Sequence, residues 1–400
     1  MIADPALAPA LSGSMAVTRL SLAEFRCYSR LRLELDARPV VLTGANGAGK
    51  TNLLEALSFL APGRGLRRAR LAEVGRLGAA ADASWAVAAV LATPEGPAEI
   101  GTAHEPPSGP VSADGEARDG KRAVQVDGKP SRGQAQLAKL VSVVWLTPDM
   151  DRLFADGASA RRRFLDRLVY GFDPEHARRV STYEHAMRER ARVLRAPGAP
   201  ADPSWLTALE DRMAREGVAI AVARRLLADR LGRAIALADG PFPKAGLRAT
   251  GAVEAWLDEG PALAAEDRLR AALAAARAHD AAAGGAASGP HRSDLEVRHL
   301  GRDRPAVLCS TGEQKALLLS IVLANARLRA LERGAPPILL LDEVAAHLDA
   351  DRRAALYADL IALGAQAWLT GTDASLFAPL AGKAQFFRVA DATVNVSENP

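Results

Sequence analysis

Gly44-Ala45-Asn46-Gly47-Ala48-Gly49-Lys50-Thr51 is the stretch whose reading decides the fold of this chain. It fits the pattern G-x-x-x-x-G-K-[ST], and the residues around it give the pattern its meaning. Val40-Val41-Leu42 before it is a short apolar run such as a buried strand makes. Asn52 to Leu60 after it carries Leu53, Leu54, Leu57 and Leu60 at helical spacing. Strand, glycine loop and helix in that order build a phosphate cradle. Glycines let successive backbone N–H groups curl around an anion, and the helix N-terminus adds its partial positive charge. Lys50 then reaches the β- and γ-phosphates of a nucleotide, and the Thr51 hydroxyl ligates Mg²⁺. The ATP-binding set expected here is Asn46, Gly47, Ala48, Gly49, Lys50, Thr51 and Asn52, with ATP and Mg²⁺ as cofactors.

The matching acidic element lies near the other end of the chain. Ile338-Leu339-Leu340-Leu341 is a continuous apolar run, the signature of a strand buried on both faces of a parallel sheet, and Asp342-Glu343 follow it directly. Carboxylates at the C-terminal end of such a strand stand where α/β sheets place ligands. Asp342 is expected to hold the Mg²⁺ shell with Thr51. Glu343 is expected to polarise an attacking water as general base, with Lys50 as the second catalytic residue.

A third segment, Ser310-Thr311-Gly312-Glu313-Gln314, begins 32 residues before Asp342 and opens the helical run Ala316 to Leu331. Taken alone it is a helix cap. Its position relative to the acidic strand makes it resemble the ABC-type signature, whose residues (here Ser310, Gly312, Glu313 and Gln314) bind the γ-phosphate of ATP held by a second subunit. His347-Leu348-Asp349 likewise resembles the D-loop of that class, with Asp349 as its acid.

Between these ends the character of the chain changes. Val17 to Leu42 reads as strands, as do Val87 to Leu91, Ala123 to Val126 and Val141 to Leu146, with a loop rich in Pro, Gly, Glu and Asp between Leu91 and Ala123. From Arg161 to about Ala283 the pattern is helical with almost no strand signal. One helix holds Tyr183, Met187 and Leu194; another starts at an Asp202-Pro203 cap and carries Leu206, Leu209, Met213, Ile220 and Leu227. The expected architecture is an α/β ABC-type ATPase head of the P-loop class with an inserted all-helical lobe. Its parts are an N-terminal extension over 1–14, the first part of the head over 15–150, the lobe over 151–287 and the rest of the head over 288–400. Met15 is a second candidate start, because the strand pattern begins only at Val17.

Composition restricts the setting. No run of 18 apolar residues occurs, and the first twenty residues lack a basic region ahead of their apolar stretch. Two cysteines, Cys27 and Cys309, make no disulfide framework; the cytoplasm is the expected compartment, without membrane contact. The net charge is +4, but only seven of the 51 basic residues are lysine, a skew that together with abundant alanine reads as GC-rich coding.

The whole set of segments resembles the RecF family of bacterial recombination mediators, in the structural-maintenance-of-chromosomes and ABC ATPase group. The resemblance rests on Phe25-Arg26-Cys27-Tyr28, the glycine loop running into Asn52-Leu53-Leu54-Glu55-Ala56, and Asp127-Gly128-Lys129-Pro130. Further support comes from Ser159 to Asp166, Gly289-Pro290-His291-Arg292-Ser293-Asp294-Leu295, Ser310 to Gln314 and Leu341 to Asp349. It implies a homodimer formed on ATP, a weak DNA-stimulated ATPase used as a clamp, and binding to duplex DNA beside single-stranded gaps. It also implies partnership with RecR and RecO in loading RecA. Thr311 at the signature's second position departs from the wider ABC pattern, as does Thr370-Gly371-Thr372-Asp373 where many members carry a switch histidine.

Residues 151–195 hold eleven arginines against seven acids, with Arg161, Arg162 and Arg163 the densest cluster and the expected DNA-binding residues; Arg64, Arg67, Arg68 and Arg70 form a second cluster. Arginines on a DNA-facing surface neutralise phosphates; the same side chains on a helix also serve as solvated surface or pair with local acids. An ABC subunit coupled to a transporter is the alternative, but it places its signature about a hundred residues after the glycine loop, and here Lys50 and Ser310 are 260 residues apart. A GTPase needs an Asn-Lys-x-Asp loop, and none occurs.

Overall fold

The computed structural model describes residues 15–79, 84–105, 120–131, 133–195 and 202–397. The chain divides into two compact units, one taking the described residues up to Met150 and from Asn325 onward, the other Asp151–Ala324.

In the first unit, β1 (Ala16–Phe25), β2 (Tyr28–Glu34) and β3 (Val40–Thr43) lead through the glycine loop into α1 (Lys50–Ser58). Then come β4 (Ala86–Thr93), β5 (Gly96–Glu105), β6 (Lys121–Val126), β7 (Lys129–Pro130), the short α2 (Leu137–Leu140) and β8 (Val143–Leu146). The second unit runs through α3 (Ala158–Tyr170), α4 (His176–Arg195), α5 (Pro203–Leu237), β9 (Ala245–Thr250), α6 (Ala252–Glu259), α7 (Ala262–Ala275), α8 (Arg277–Ala283), β10 (Asp294–His299) and β11 (Arg304–Pro305). After α9 (Thr311–Arg333) the first unit resumes with β12 (Ile338–Leu341), α10 (Ala350–Ala362), β13 (Ala367–Gly371), β14 (Gln385–Ala390) and β15 (Thr393–Val396).

The first unit has two sheets. One is antiparallel, in the order β2-β1-β4-β5-β6-β7; the other has the order β15-β14-β3-β13-β12-β8, parallel except for β15 at its edge. Leu20 and Val87 from the first sheet, Trp85 just ahead of β4, Leu53 and Leu57 from α1, and Leu42, Leu340 and Trp368 from the second share one core. Phe25, Phe59 and Trp85 pack ring against ring in it, with centroids 5.0 to 5.9 Å apart. Burial of α1 on both sides explains its run of leucines. β3 and β12 are apolar at every inner position because both faces of their sheet are covered.

In the second unit, α5 is the longest helix, 35 residues or roughly 50 Å. It opens as expected: Pro203 at its first turn and an Asp202 carboxylate that accepts the Ser204 N–H at 2.8 Å. Its Met213, Ile220 and neighbours meet Tyr183 of α4 and Leu269 and Leu273 of α7 in a separate core.

The structure departs from the sequence reading in two elements. The lobe is not wholly helical, because Ala245–Thr250 forms β9 and pairs with β10, Ala249 facing Leu295. Apart from Thr250 the segment has no β-branched or aromatic residue, so pairing rather than local preference makes it a strand. Residues 288–324, expected with the rest of the head, fall in the second compact unit, Asp151–Ala324. The loop expected between Leu91 and Ala123 is in part β5, which alternates between buried and exposed positions and pairs with both β4 and β6. The rest of that loop, 106–119, and the expected extension 1–14 lie outside the described residues. Among the described residues no helix is long and apolar enough to cross a membrane.

Candidate active site

Three neighbouring strands of the parallel sheet, β3, β13 and β12, build the site at their C-terminal ends. Beyond Thr43 of β3 the chain turns into the glycine loop, whose backbone is left-handed at Gly44 (φ 148°), Gly47 (φ 80°) and Gly49 (φ 115°). Gly44 has no alternative residue: a Cβ there would lie 2.1 Å from the Val389 carbonyl oxygen, a main-chain atom of β14 that cannot step aside. Ala45, Asn46 and Gly47 form the exposed tip. Gly49 caps α1, and the Tyr28 hydroxyl donates to its carbonyl at 3.1 Å.

Lys50 is buried, with its Nζ donating to the carbonyls of Gly44 (2.7 Å) and Ala45 (2.9 Å). Burial lowers the pKa of its ammonium, opposed by the charges of Glu343 and Asp342. Thr51 Oγ1 donates to Asp342, 3.2 Å from Oδ1 and 3.1 Å from Oδ2, although the two residues are 291 positions apart. Burial raises the pKa of Asp342, against hydrogen bonds from Thr370 and Thr51 that favour the charged form. A hydroxyl and one carboxylate are a fitting pair of hard oxygen donors for Mg²⁺, which takes one or two carboxylates and fills the rest of its shell with water and phosphate. Such a site needs no dense cluster of ligands, and among the described residues no group of three or more His, Cys, Asp or Glu forms one.

Glu343 follows in a left-handed backbone conformation (φ 54°), which costs a non-glycine residue on the order of 1–3 kcal/mol. Its N–H is caught by Thr370 Oγ1 at 2.9 Å, and the same hydroxyl donates to Asp342 Oδ1 at 2.7 Å. Sequence alone marks Thr370 only as the first residue of Thr370-Gly371-Thr372-Asp373, the segment that stands where many ABC members carry a switch histidine, and gives its hydroxyl no partner. Its signal is the end of the apolar run Ala367-Trp368-Leu369, and the register Leu341↔Leu369 carries Thr370 alongside Asp342.

Asn52 donates to Cys27 Sγ (3.1 Å) and accepts from Arg67 (2.8 Å), which also pairs with the fully buried Glu55 of α1; Arg26 grips Glu55 through two further bonds of 2.7 and 2.8 Å. The Phe25-Arg26-Cys27-Tyr28 segment thus braces the first turns of α1.

In the second unit, Ser310 and Glu313 form a reciprocal cap at the start of α9. The Ser310 N–H donates to Glu313 Oε2 at 2.9 Å, and the Glu313 N–H to Ser310 Oγ at 3.4 Å. Gly312 is exposed with open space beside it, and Gln314 is buried on the Cys309 carbonyl (2.9 Å). In the first unit Asp349 caps α10, accepting the Arg352 N–H at 2.8 Å.

The three arginines of α3 have unlike surroundings. Arg161 is clamped by Asp294 through two bonds of 2.7 and 2.8 Å, and Arg162 donates to the Ser293 carbonyl at 2.5 Å; of the three only Arg163 is exposed. The 289–295 segment is thereby tied to α3. Its His291 is structural: Nε2 donates to the Ala286 carbonyl (2.9 Å), which leaves Nδ1 to accept from the Tyr183 hydroxyl (2.7 Å).

A family model described as RecF/RecN/SMC N terminal domain matches residues 16–389. The chain is 50% identical over 388 residues to the DNA replication and repair protein RecF of Mesorhizobium japonicum, covering 96% of this chain and 98% of that one. It belongs to the RecF family. RecF of Caulobacter vibrioides is 51% identical over 395 residues, 96% of this chain and 99% of that one. Among solved structures, the recombination mediator protein RecF-ATPrS in the RecFOR pathway superposes with a TM-score of 0.78 at 20% identity, over 96% of this chain and 99% of that one. The Smc head domain of Pyrococcus furiosus bound to the C-terminal domain of ScpA reaches 0.51 at 15% identity over 96% of each. The fold is that of an ABC/SMC-type ATPase head, and the resemblance read from the sequence holds across the chain.

Proposed function

We propose that this RecF-family chain is an ATP-dependent, DNA-binding recombination mediator that dimerises on ATP. In this reading it binds duplex DNA beside single-stranded gaps and acts in the cytoplasm with RecR and RecO to help load RecA. The observation that carries the ATP reading is the convergence of Lys50, Thr51, Asp342 and Glu343, drawn from two distant parts of the sequence to the ends of β3 and β12, the strands on either side of β13. The nucleotide's phosphates would lie against the loop N–H groups and the N-terminus of α1, with the Lys50 ammonium leaving its loop carbonyls for the β- and γ-oxygens. Thr51 and Asp342 would hold Mg²⁺, which neutralises charge developing on the phosphates. Glu343 would take a proton from the attacking water.

At the start of α9, just past the Ser310 cap, Thr311 and Gly312 are exposed, an arrangement suited to the γ-phosphate of a nucleotide on a second copy. That geometry supports dimerisation with the signature acting in trans and Asp349 serving as the D-loop acid. DNA contact falls in this reading to exposed Arg163, Arg64, Arg68 and Arg70, since Arg161 and Arg162 have internal bonds. Slow hydrolysis would release the clamp. Sedimentation of the parent chain and Lys50→Ala, with and without ATP–Mg²⁺, tests the reading: the parent should dimerise on ATP and the variant should not. A variant that dimerises like the parent would contradict it.

A further inference from the structure

Thr370 stands at a junction that no role in the proposed hydrolysis yet uses. The residue is 1% exposed, so water does not compete for its hydroxyl. That hydroxyl has one proton, and Asp342 Oδ1 takes it at 2.7 Å; the oxygen then accepts the Glu343 N–H at 2.9 Å. One side chain therefore fixes both acids, Asp342 through its carboxylate and Glu343 through its peptide. The peptide needs fixing, because Glu343 is left-handed at φ 54° and such a conformation persists only where its surroundings hold it. The place of Thr370 in the sheet also suits this role, since β13 lies between β3, which delivers the glycine loop, and β12, which delivers the acids.

We infer that Thr370 is the positioning residue of the hydrolytic site, orienting the Asp342 carboxylate toward Mg²⁺ and aiming Glu343 at the water. It touches neither nucleotide nor water itself. The inference rests on the ATPase reading above, and Thr370 acts only on the metal-bound, hydrolytic state. Partners of this kind typically change metal affinity or activity by about 10–100-fold when removed. Valine keeps the shape of threonine and loses the hydroxyl, serine keeps the hydroxyl, and cysteine offers only a weak donor.

The test compares the parent, Thr370→Val and Thr370→Ser as full chains, by ATPase kinetics and by titration of a fluorescent ATP analogue in EDTA and across a Mg²⁺ series. The valine variant should lose about 10–100-fold in kcat and need more Mg²⁺ to tighten nucleotide binding, with binding in EDTA unchanged. Serine should restore both. A valine variant with the parent's kcat and Mg²⁺ midpoint, or a serine variant as slow as valine, would overturn the inference. Should valine disturb the fold, seen as lost binding in EDTA, serine and cysteine decide: serine at the parent rate with cysteine slowed supports the role, and both at the parent rate overturn it. A parent chain that binds no nucleotide under either condition sinks the ATPase reading itself, whereas a working parent beside an unaffected valine variant sinks only this inference.

Discussion

Replacing Asp166 by asparagine should destabilise the second unit more than any exposed ion-pair deletion, and the structure gives the size of the effect. Asp166 is buried and accepts three bonds: His176 Nε2 at 2.7 Å, and Arg224 Nε and a terminal nitrogen, each at 2.8 Å. Arg224, equally buried, has one further bond, to the Pro290 carbonyl at 2.7 Å. Burial alone would push the Asp166 carboxyl up, but Arg224 and His176 override it and hold the group well below the usual carboxylate range. Asparagine preserves the volume and removes the charge, leaving the buried Arg224 guanidinium without its hydrogen-bonded ion-pair partner. Breaking such a pair from one side costs about 3–5 kcal/mol. For a unit of this size each kcal/mol moves the thermal midpoint by about 2–4 °C, so circular dichroism should show a fall of roughly 6–20 °C at pH 7. Removing exposed Glu184, 3.7 Å from Arg188, is the control and should leave the midpoint in place. Because the folded carboxyl titrates below the unfolded one, its contribution is complete above about pH 4 and fades as pH falls further. The gap between parent and variant should therefore narrow only on the acid side. A midpoint for Asp166→Asn indistinguishable from the parent would refute the reasoning.

Glu343→Gln should still bind ATP and accumulate as a dimer in size-exclusion chromatography, with hydrolysis down about 10²–10⁴-fold; turnover at the parent rate would remove the general-base assignment. Ser310→Arg should fail to dimerise yet bind one ATP per chain by equilibrium dialysis, and loss of binding by the monomer would count against a role in trans. Gly44→Ala should abolish nucleotide binding, because the added Cβ meets the Val389 carbonyl oxygen at 2.1 Å in a left-handed backbone; a variant binding at the parent affinity would show that the loop has room to rearrange.

What the sequence discloses is local chemistry. The glycine loop is legible because phosphate binding restricts residue type at several adjacent positions, and β12 because a strand buried on both faces must be apolar throughout. The start of α5 is legible for the same reason, since Asp202-Pro203 is a cap in any context. What it hides is decided across long separations. β9 exists because β10 pairs with it, and Ala-Gly-Leu-Arg-Ala-Thr carries little strand preference of its own beyond Thr250. Arg161 reads as part of a basic cluster until Asp294, 133 positions away, closes on it. Asp166, close enough in sequence to pair with that cluster, instead holds Arg224 and His176. The bonds of Thr370 escape notice, although its segment stands where a switch histidine is common, because a threonine ending a short apolar run shows no partner and only the register of β12 against β13 places it beside Asp342.

The central claim, a DNA clamp governed by ATP, is tested most directly by fluorescence anisotropy of a labelled gapped duplex. The parent chain and Lys50→Ala are titrated with and without ATP–Mg²⁺ across a salt series. The account predicts tight binding by the parent only with ATP, weakening steeply as salt rises because arginines release counter-ions from the phosphates, and no ATP effect in the variant. Binding by the parent that is absent in every nucleotide state, or unchanged by ATP and by loss of Lys50, would contradict it.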